Sequence, residues 1–434
     1  MTPAARLQST IELLDTILEE DRPADAVLAQ YFKGRRFFGS KDRRAVQDQV
    51  WQIIRHRARL SWAMGAENAS GKMLVAAALV ALDKRSLDSV AGHFSGAKNG
   101  PEPLAANEKR MVEKAAARNF ADAPRATRLE CPDWVLEKFD ASFGEKSDEE
   151  VAALSGEAAL DLRVNTLKTT RDELIAQLAG EGLKVSPSPL SPFGIRVGGR
   201  TTLGNHLGFK DGLFEVQDEG SQLCALLTDA RPGMSVMDLC AGAGGKTLAL
   251  AMQMNNKGRL VASDLSITRL ERSKLRLRRA GVHNATLRVL EEHDKWMKRQ
   301  TSAQGGAFDR VLVDAPCTGT GAWRRNPDAR WRLTPENLEN LTATQDAVLD
   351  QGAQLTRPGG RLVYVTCSLL PDENEQRIEK FLAGNGAFKP LDAAKIWSEV
   401  LPGEAPAADG PYLKFSPVRT DTDGFFIAIL ERSQ

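Results

Sequence analysis

The feature that most constrains this chain is a glycine-rich turn set between a short apolar run and a helix. In Ser235–Leu250, SVMDLCAGAGGKTLAL, Val236, Met237 and Leu239 read as a buried strand closed near Asp238. Cys240–Gly245 reads as the turn and Lys246 onward as the helix. Glycines here allow tight turning and close backbone approach to a ligand, and the helix start offers unpaired N–H groups to an anionic or carboxylate-bearing group. A phosphate loop of the form G-x-x-x-x-G-K-[ST] would use Gly245, Lys246 and Thr247, but its first glycine falls on Cys240. A doubly wound nucleoside site wants instead an acid at the end of the next strand. Arg259–Ser263 reads as that strand, and Asp264 follows about 20 residues after the glycines, the spacing such a site expects. The nucleoside reading fits better.

A chain of 434 residues suits two or three domains. With 42% hydrophobic and 26% charged residues it has the make-up of an ordinary soluble protein. A net charge of +1 means that any nucleic-acid binding must come from local basic faces. The longest apolar run, Met73–Leu82, is too short to cross a bilayer, and Thr2-Pro3 predicts a capped helix rather than a signal peptide. Five scattered cysteines without a C-x-x-C pair argue against disulfides and zinc, and for a reducing cytoplasm.

Residues 1–125 read as an all-helical domain. Leu7, Ile11, Leu14 and Leu18 form one stripe, and a long helix is expected from Lys41 to Met64. Arg35, Arg36, Lys41, Arg43, Arg44, Arg55, Arg57 and Arg59, with Phe37, Phe38 and Trp51 among them, suit either a solvated face or RNA-backbone contact. Residues 126–220 read as a small α+β domain, with strands at Leu160–Val164, Gly194–Val197 and Leu213–Val216. Its helix is capped by Thr170 and Glu173, and Ser186–Pro192 reads as a loop. From 221 to 434 strands and helices alternate, which predicts a doubly wound, mainly parallel sheet. The helix Ile267–Ala280 carries Arg269, Arg272, Lys274, Arg276, Arg278 and Arg279, read as a solvated face. No helix precedes the last strand, Gly424–Leu430, to bring it back parallel.

Two candidate strands end at a cysteine. DRVLVDAPCTG carries Asp314, Pro316 and Cys317; RLVYVTCS carries Thr366 and Cys367. Ligands bind at the carboxyl ends of such strands, so both thiols are expected at the nucleoside site. A thiolate is a strong nucleophile for an electron-poor ring carbon. Arg324, Arg325 and Arg330 follow Cys317 and are expected either to favour its ionisation or to hold a phosphate.

Taken together, these segments resemble the RsmB/Fmu/Sun (Nol/Nop/Sun) family of RNA cytosine-C5 methyltransferases, and within it the bacterial enzymes acting on 16S ribosomal RNA. LRVNTLK and FEVQDEGSQL resemble the family's pre-catalytic segment and DLCAGAGGKT its S-adenosylmethionine loop. DAPCTGTG and TCSLLPDENE resemble its cysteine motifs, and DGFFIAIL its final strand. FFGSKDRRAVQDQVWQIIRHR resembles the NusB-like RNA-binding domain of its bacterial members. The chain departs from the pattern at Ala243, where proline is usual, and at Ser416-Pro417-Val418, near a usual Pro-His pair.

The resemblance implies a Rossmann-like class I methyltransferase domain behind a NusB-like domain and a small α+β domain. It implies S-adenosylmethionine held by Cys240, Ala241, Gly242, Ala243, Gly244, Gly245, Lys246, Asp264, Asp314 and an acid after the third strand, taken as Asp294 among Glu291, Glu292 and Asp294. By the same resemblance Cys367 adds to carbon 6 of cytosine, Cys317 assists release and Asp314 binds the base edge. The implied partner is ribosomal RNA, met by a cytoplasmic monomer with no membrane and no metal. A cytosine-C5 methyltransferase of transfer RNA, a non-catalytic RNA-binding or ribosome-assembly protein and a P-loop hydrolase are the competing readings.

Overall fold

Strand β5 of the large sheet, Ser235–Leu239, has a parallel strand on each side in the computed structural model, which describes every residue except Arg36, Arg200, 291–294 and 303–305. The chain forms two units, Met1–Gly156 with Trp323–Leu333, and Glu157–Ala322 with Thr334–Gln434.

The first unit is helical. Its opening helix, Pro3–Glu19, begins with proline, and Thr2 accepts a bond from the Ala5 N–H, so the first turn is capped as expected. Leu7, Ile11 and Leu14 of its stripe are buried, and Leu18 packs beside them. The helix expected from Lys41 to Met64 is two helices, Ser40–Arg55 and Arg57–Met64, broken at His56. The break has a cause remote in sequence. The buried carboxylate of Glu130 accepts the backbone N–H groups of Ala58 and Arg59 at 2.8 and 3.0 Å, capping the second helix from outside its own segment. The helix Gly71–Ala81 is buried on almost every side, consistent with its lack of a polar face. Trp323 and Arg330 of the inserted segment are fully buried within this unit.

In the second unit, β1 (Leu160–Val164), β2 (Val185–Pro187), β3 (Gly194–Val197) and β4 (Phe214–Val216) make an antiparallel sheet in the order β2-β3-β1-β4. Strand β2 lies partly in the segment read as a Ser/Pro-rich loop. Its pairing with β3 supplies a stability that local composition does not reveal. The helix Arg171–Gly180 carries the anticipated Thr170–Glu173 capping box.

The large sheet adds β6 (Arg259–Asp264), β7 (Ala285–Val289), β8 (Phe308–Asp314), β9 (Thr356–Thr366), β10 (Phe388–Pro390), β11 (Ala408–Asp409), β12 (Tyr412–Phe415) and β13 (Phe425–Arg432). Its order is β11-β12-β13-β9-β8-β5-β6-β7, with β10 also on β13. Strands β5 to β9 run parallel, whereas β13 is antiparallel to β9, although the helices Glu375–Gly384 and Ala393–Val400 lie between them in the chain. Helices cover both faces. Leu250, Ala251, Ile396 and Trp397 pack on one side, and Leu349, Ala353, Ile378 and Phe381 on the other. This doubly wound order brings the carboxyl ends of β5, β6, β8 and β9 side by side.

Candidate active site

The turn after β5 is built by backbone conformation. Cys240 has φ +67°, Gly242 +55° and Gly244 +81°, three left-handed residues within five positions. A Cβ on Gly244 would lie 2.8 Å from Ser273 Oγ, so the turn closes onto the helix Ile267–Ala280. A Cβ on Gly242 would meet nothing within 4 Å, so this side of the turn is open. Ser273 Oγ donates to the Gly242 carbonyl at 3.0 Å, and the N–H of Ala241 reaches Ser263 O at 2.7 Å. Alanine at 243 leaves the turn closed, with the Gly244 N–H on Ala241 O at 2.9 Å.

Asp264 closes β6 beside this turn. One carboxylate oxygen accepts the Gly242 N–H at 2.9 Å and the other the Ser266 N–H at 2.7 Å. Each oxygen keeps a lone pair for a ligand hydroxyl. Beneath the turn, Asp238 is fully buried. Thr247 Oγ1 donates to one of its oxygens at 2.5 Å and the other has no partner. Burial pushes the Asp238 carboxyl up to about 7, against the opposing Thr247 bond. Asp294 lies outside the described residues.

Lys246 reaches across to β8, its Nζ 2.7 Å from Asp314 Oδ2. Burial alone would lower this ammonium, but the adjoining Asp314 charge outweighs it and holds Lys246 above its ordinary value. At the ends of β8 and β9 the two thiols meet, Cys317 Sγ lying 3.4 Å from Cys367 Sγ. The bond with Cys367, followed by burial, pushes the Cys317 thiol well above its ordinary value, and either sulfur can donate in this contact. Cys224 and Cys240 are also raised, first by burial, Cys240 to about 12.

The structure therefore brings Lys246, Asp314, Cys317 and Cys367 together, and sets the Cys240–Gly245 turn against Asp264. Two expectations about arginines are corrected. Arg330 does not act on Cys317. Its guanidinium is buried and donates to the carbonyls of Glu130 and Leu154 and to Ser155 Oγ, all at 3.0 Å. Arg324 is likewise buried, and its carbonyl accepts from Arg55 at 2.9 Å. On the helix Ile267–Ala280, Arg269, Arg272, Lys274 and Arg278 are exposed as read, but Arg276 and Arg279 pair with the buried Glu215. Arg276 also donates to the Ala243 carbonyl at 2.7 Å.

Several further residues support the site. Arg163 of LRVNTLK is buried and donates to Gln217 and, at 2.7 Å, to the Gly245 carbonyl, so β1 holds the helix start. Asn165 donates to Ala280 O at 2.8 Å and Lys168 to Arg279 O at 2.7 Å, both at the carboxyl end of the helix Ile267–Ala280. Glu373, in TCSLLPDENE, is buried against the Cys317 loop. The only signal for these was polar residues inside apolar stretches, with nothing local to name their partners.

Among the basic residues of the helical unit, Arg35 lies over Tyr31, Arg43 over Phe32 and Arg57 over Trp331, while Arg59 pairs with Glu130. Lys41 and Arg44 are exposed. Arg36 lies outside the described residues. No helix among the described residues is long and apolar enough to cross a membrane, and no His/Cys/Asp/Glu group among them could hold a metal.

Residues 225–431 match the family described as 16S rRNA methyltransferase RsmB/F, and residues 131–203 the RsmF/B-like ferredoxin-like domain. A "probable ribosomal RNA small subunit methyltransferase B" of Synechocystis is 34% identical over 306 residues, covering 70% of this chain and 67% of that protein. The ribosomal RNA small subunit methyltransferase B of Vibrio cholerae is 30% identical over 391 residues, covering 86% and 88%. Among solved structures, PH0851 is 25% identical with a TM-score of 0.77, over 100% of this chain and 99% of its own. A methyltransferase homologue from Pyrococcus horikoshii is 28% identical with a TM-score of 0.59, over 71% and 97%.

Proposed function

Because the chain belongs to the RsmB/F family of 16S rRNA methyltransferases, we propose that it methylates carbon 5 of a cytosine in 16S ribosomal RNA through a cysteine adduct. The observation that carries this reading is the pair of thiols 3.4 Å apart at adjacent strand ends, beside the Lys246–Asp314 pair.

The residues fit S-adenosylmethionine, the family's cofactor. The turn Cys240–Lys246 is open over Gly242, and Asp264 keeps lone pairs for ribose hydroxyls. The N–H groups at the start of the helix Gly245–Gln253 suit a carboxylate.

Carbon 5 of cytosine is a poor nucleophile. By the family resemblance Cys367 is the attacking sulfur, with the Cys317 thiol 3.4 Å away. The Cys367 sulfur forms a bond to carbon 6, and the ring electrons move toward carbon 5 and the base edge. Asp314, anchored by Lys246, hydrogen-bonds that edge and favours ring protonation. S-adenosylmethionine, when bound, supplies an electrophilic methyl to the carbon 5 made nucleophilic by this addition. Once Cys367 is a thioether, Cys317 gives its own proton to solvent and, as a thiolate, takes the carbon 5 proton. Loss of that proton restores the ring and breaks the carbon–sulfur bond, releasing Cys367. The base must be unstacked to reach both thiols, and the exposed Lys41 and Arg44 suit phosphate contacts.

Bisulfite sequencing of ribosomal and transfer RNA from a deletion strain tests the assignment. One 16S cytosine should lose its protection. Loss at a transfer-RNA position would move the substrate, and no loss in either would end the cytosine-C5 reading.

A further inference from the structure

We propose that Glu373 is the positioning residue of the release step, holding Cys317 against Cys367 by clamping the residues on either side of it. This rests on the cysteine roles given above.

Cys317 sits where regular structure has stopped. Strand β8 ends at Asp314 and the next short helical turn begins at Thr320. Pro316 has no N–H to anchor, and Gly319, at φ +68°, turns the chain sharply. The backbone is tied to the β9 end at Ala315, whose N–H reaches Val365 O at 2.9 Å, and at Gly321, whose N–H reaches Cys367 O at 3.0 Å. Between these ties, Glu373 accepts the Thr318 N–H at 2.8 Å, the Thr318 hydroxyl at 2.5 Å and a Gln345 amide N–H at 3.0 Å. The same Gln345 nitrogen donates to the Pro316 carbonyl at 2.9 Å. Both neighbours of Cys317 are thus fixed by one carboxylate and the amide it orients.

The clamp is built into the other cysteine's segment. Glu373 lies in the turn Pro371–Glu373, a few residues beyond Cys367, and its own carbonyl accepts the buried Tyr364 hydroxyl at 2.7 Å. Ser368, next to Cys367, lies 3.3 Å from the Thr318 hydroxyl and 3.1 Å from that of Thr320. The Thr318 N–H and hydroxyl and the Gln345 amide all donate to Glu373, so both of its oxygens accept, whereas a glutamine there would turn an N–H toward the Thr318 hydroxyl and reverse that bond. Burial pushes this carboxyl above its ordinary value, opposed by the hydrogen bonds from Ser368 and Thr318. Glu373 touches neither thiol directly. Its effect on the reaction passes through Cys317.

The test uses the full-length protein with 16S RNA and S-adenosylmethionine, comparing Glu373→Gln, Gln345→Met, Cys317→Ala and the double variant Glu373→Gln/Cys317→Ala. Glu373→Gln and Gln345→Met should each slow steady-state turnover by about tenfold, while methyl transfer in a single turnover stays within about twofold. A covalent protein–RNA complex should accumulate on a denaturing gel, as with Cys317→Ala. The double variant should be no slower than Cys317→Ala alone, because the clamp has nothing left to position. A general loss of structure would slow single-turnover transfer as well and multiply with the cysteine change, and either result would overturn the proposal. If Cys317→Ala traps a complex and neither clamp variant does, the positioning role is wrong and the cysteine roles stand. If Cys317→Ala traps none, the cysteine roles themselves fail.

Discussion

The two halves of the sheet's carboxyl edge are made in different ways. At β5 and β6 the site is shaped by main chain, with three left-handed residues and carbonyls tied down by Arg163, Arg276 and Ser273. At β8 and β9 it is shaped by side chains, with Glu373, Gln345 and Ser368 joining two loops that lie about 50 residues apart in sequence. A main-chain site tolerates changes in the residues around it as long as its turn survives. A side-chain site fails at single atoms.

The sharpest way to break the comparison is at the thiols. Cys367→Ala should lower methyl transfer by at least about a thousandfold and leave no adduct. Cys317→Ala should leave RNA covalently attached, visible as a slow band on a denaturing gel. Trapping by Cys367→Ala instead would reverse the roles.

The next effect concerns stability and lies under the main-chain half. The Asp238 carboxyl titrates near 7 when folded, against an ordinary 3.8. The folded protein therefore keeps a proton that the unfolded chain has already released. Its contribution is complete below about pH 4 and is lost as pH rises to about 7, by up to about 4 kcal/mol. Asp238→Asn should flatten this slope in chemical denaturation between those pH values. A slope equal to that of the unaltered protein would mean that Asp238 is ionised in the fold.

Asp264→Ala should weaken S-adenosylmethionine binding tens-fold in calorimetry, by about 2–3 kcal/mol, through loss of the ribose acceptors and of the Gly242 tie. Unchanged affinity would remove Asp264 from the site. The smallest effect belongs to the helical unit. Lys41→Ala or Arg44→Ala should each reduce the slope of log affinity for RNA against log salt by about 1. An unchanged slope would leave these side chains as merely solvated. Point changes are the right tool, because deleting residues 1–125 would remove the partners of the Asp328 carboxylate, the Arg324 carbonyl and the Trp331 ring.

This contrast also explains what was legible in the sequence. The parallel strands, the turn and Asp264 could be read because glycine spacing and apolar runs are local signals. The reversal of β13 was not legible from the helix pattern, because the helices Glu375–Gly384 and Ala393–Val400 do lie between it and β9. Glu373, Gln345 and Arg163 could not be assigned roles, since the meaning of a buried polar residue lies in partners far along the chain. The break at His56 was hidden for the same reason, its cap being Glu130. Arg330 was misread because adjacency to Cys317 in sequence suggested a partnership that folding gave to Glu130, Leu154 and Ser155.

The inserted segment Trp323–Leu333 sets an order of events during synthesis. When residue 156 leaves the ribosome, the helical unit still lacks Trp323, Asp328 and Arg330, and these arrive only after the glycine turn and both β6 and β8 have been made. At roughly 5–20 residues per second that interval lasts on the order of ten seconds or more. Until then the carbonyls of Glu130 and Leu154 wait for their donor, and the Ala24 N–H waits for Asp328. The first unit to be translated is thus among the last to be completed, and its final closure reports that the Cys317 loop has already been made.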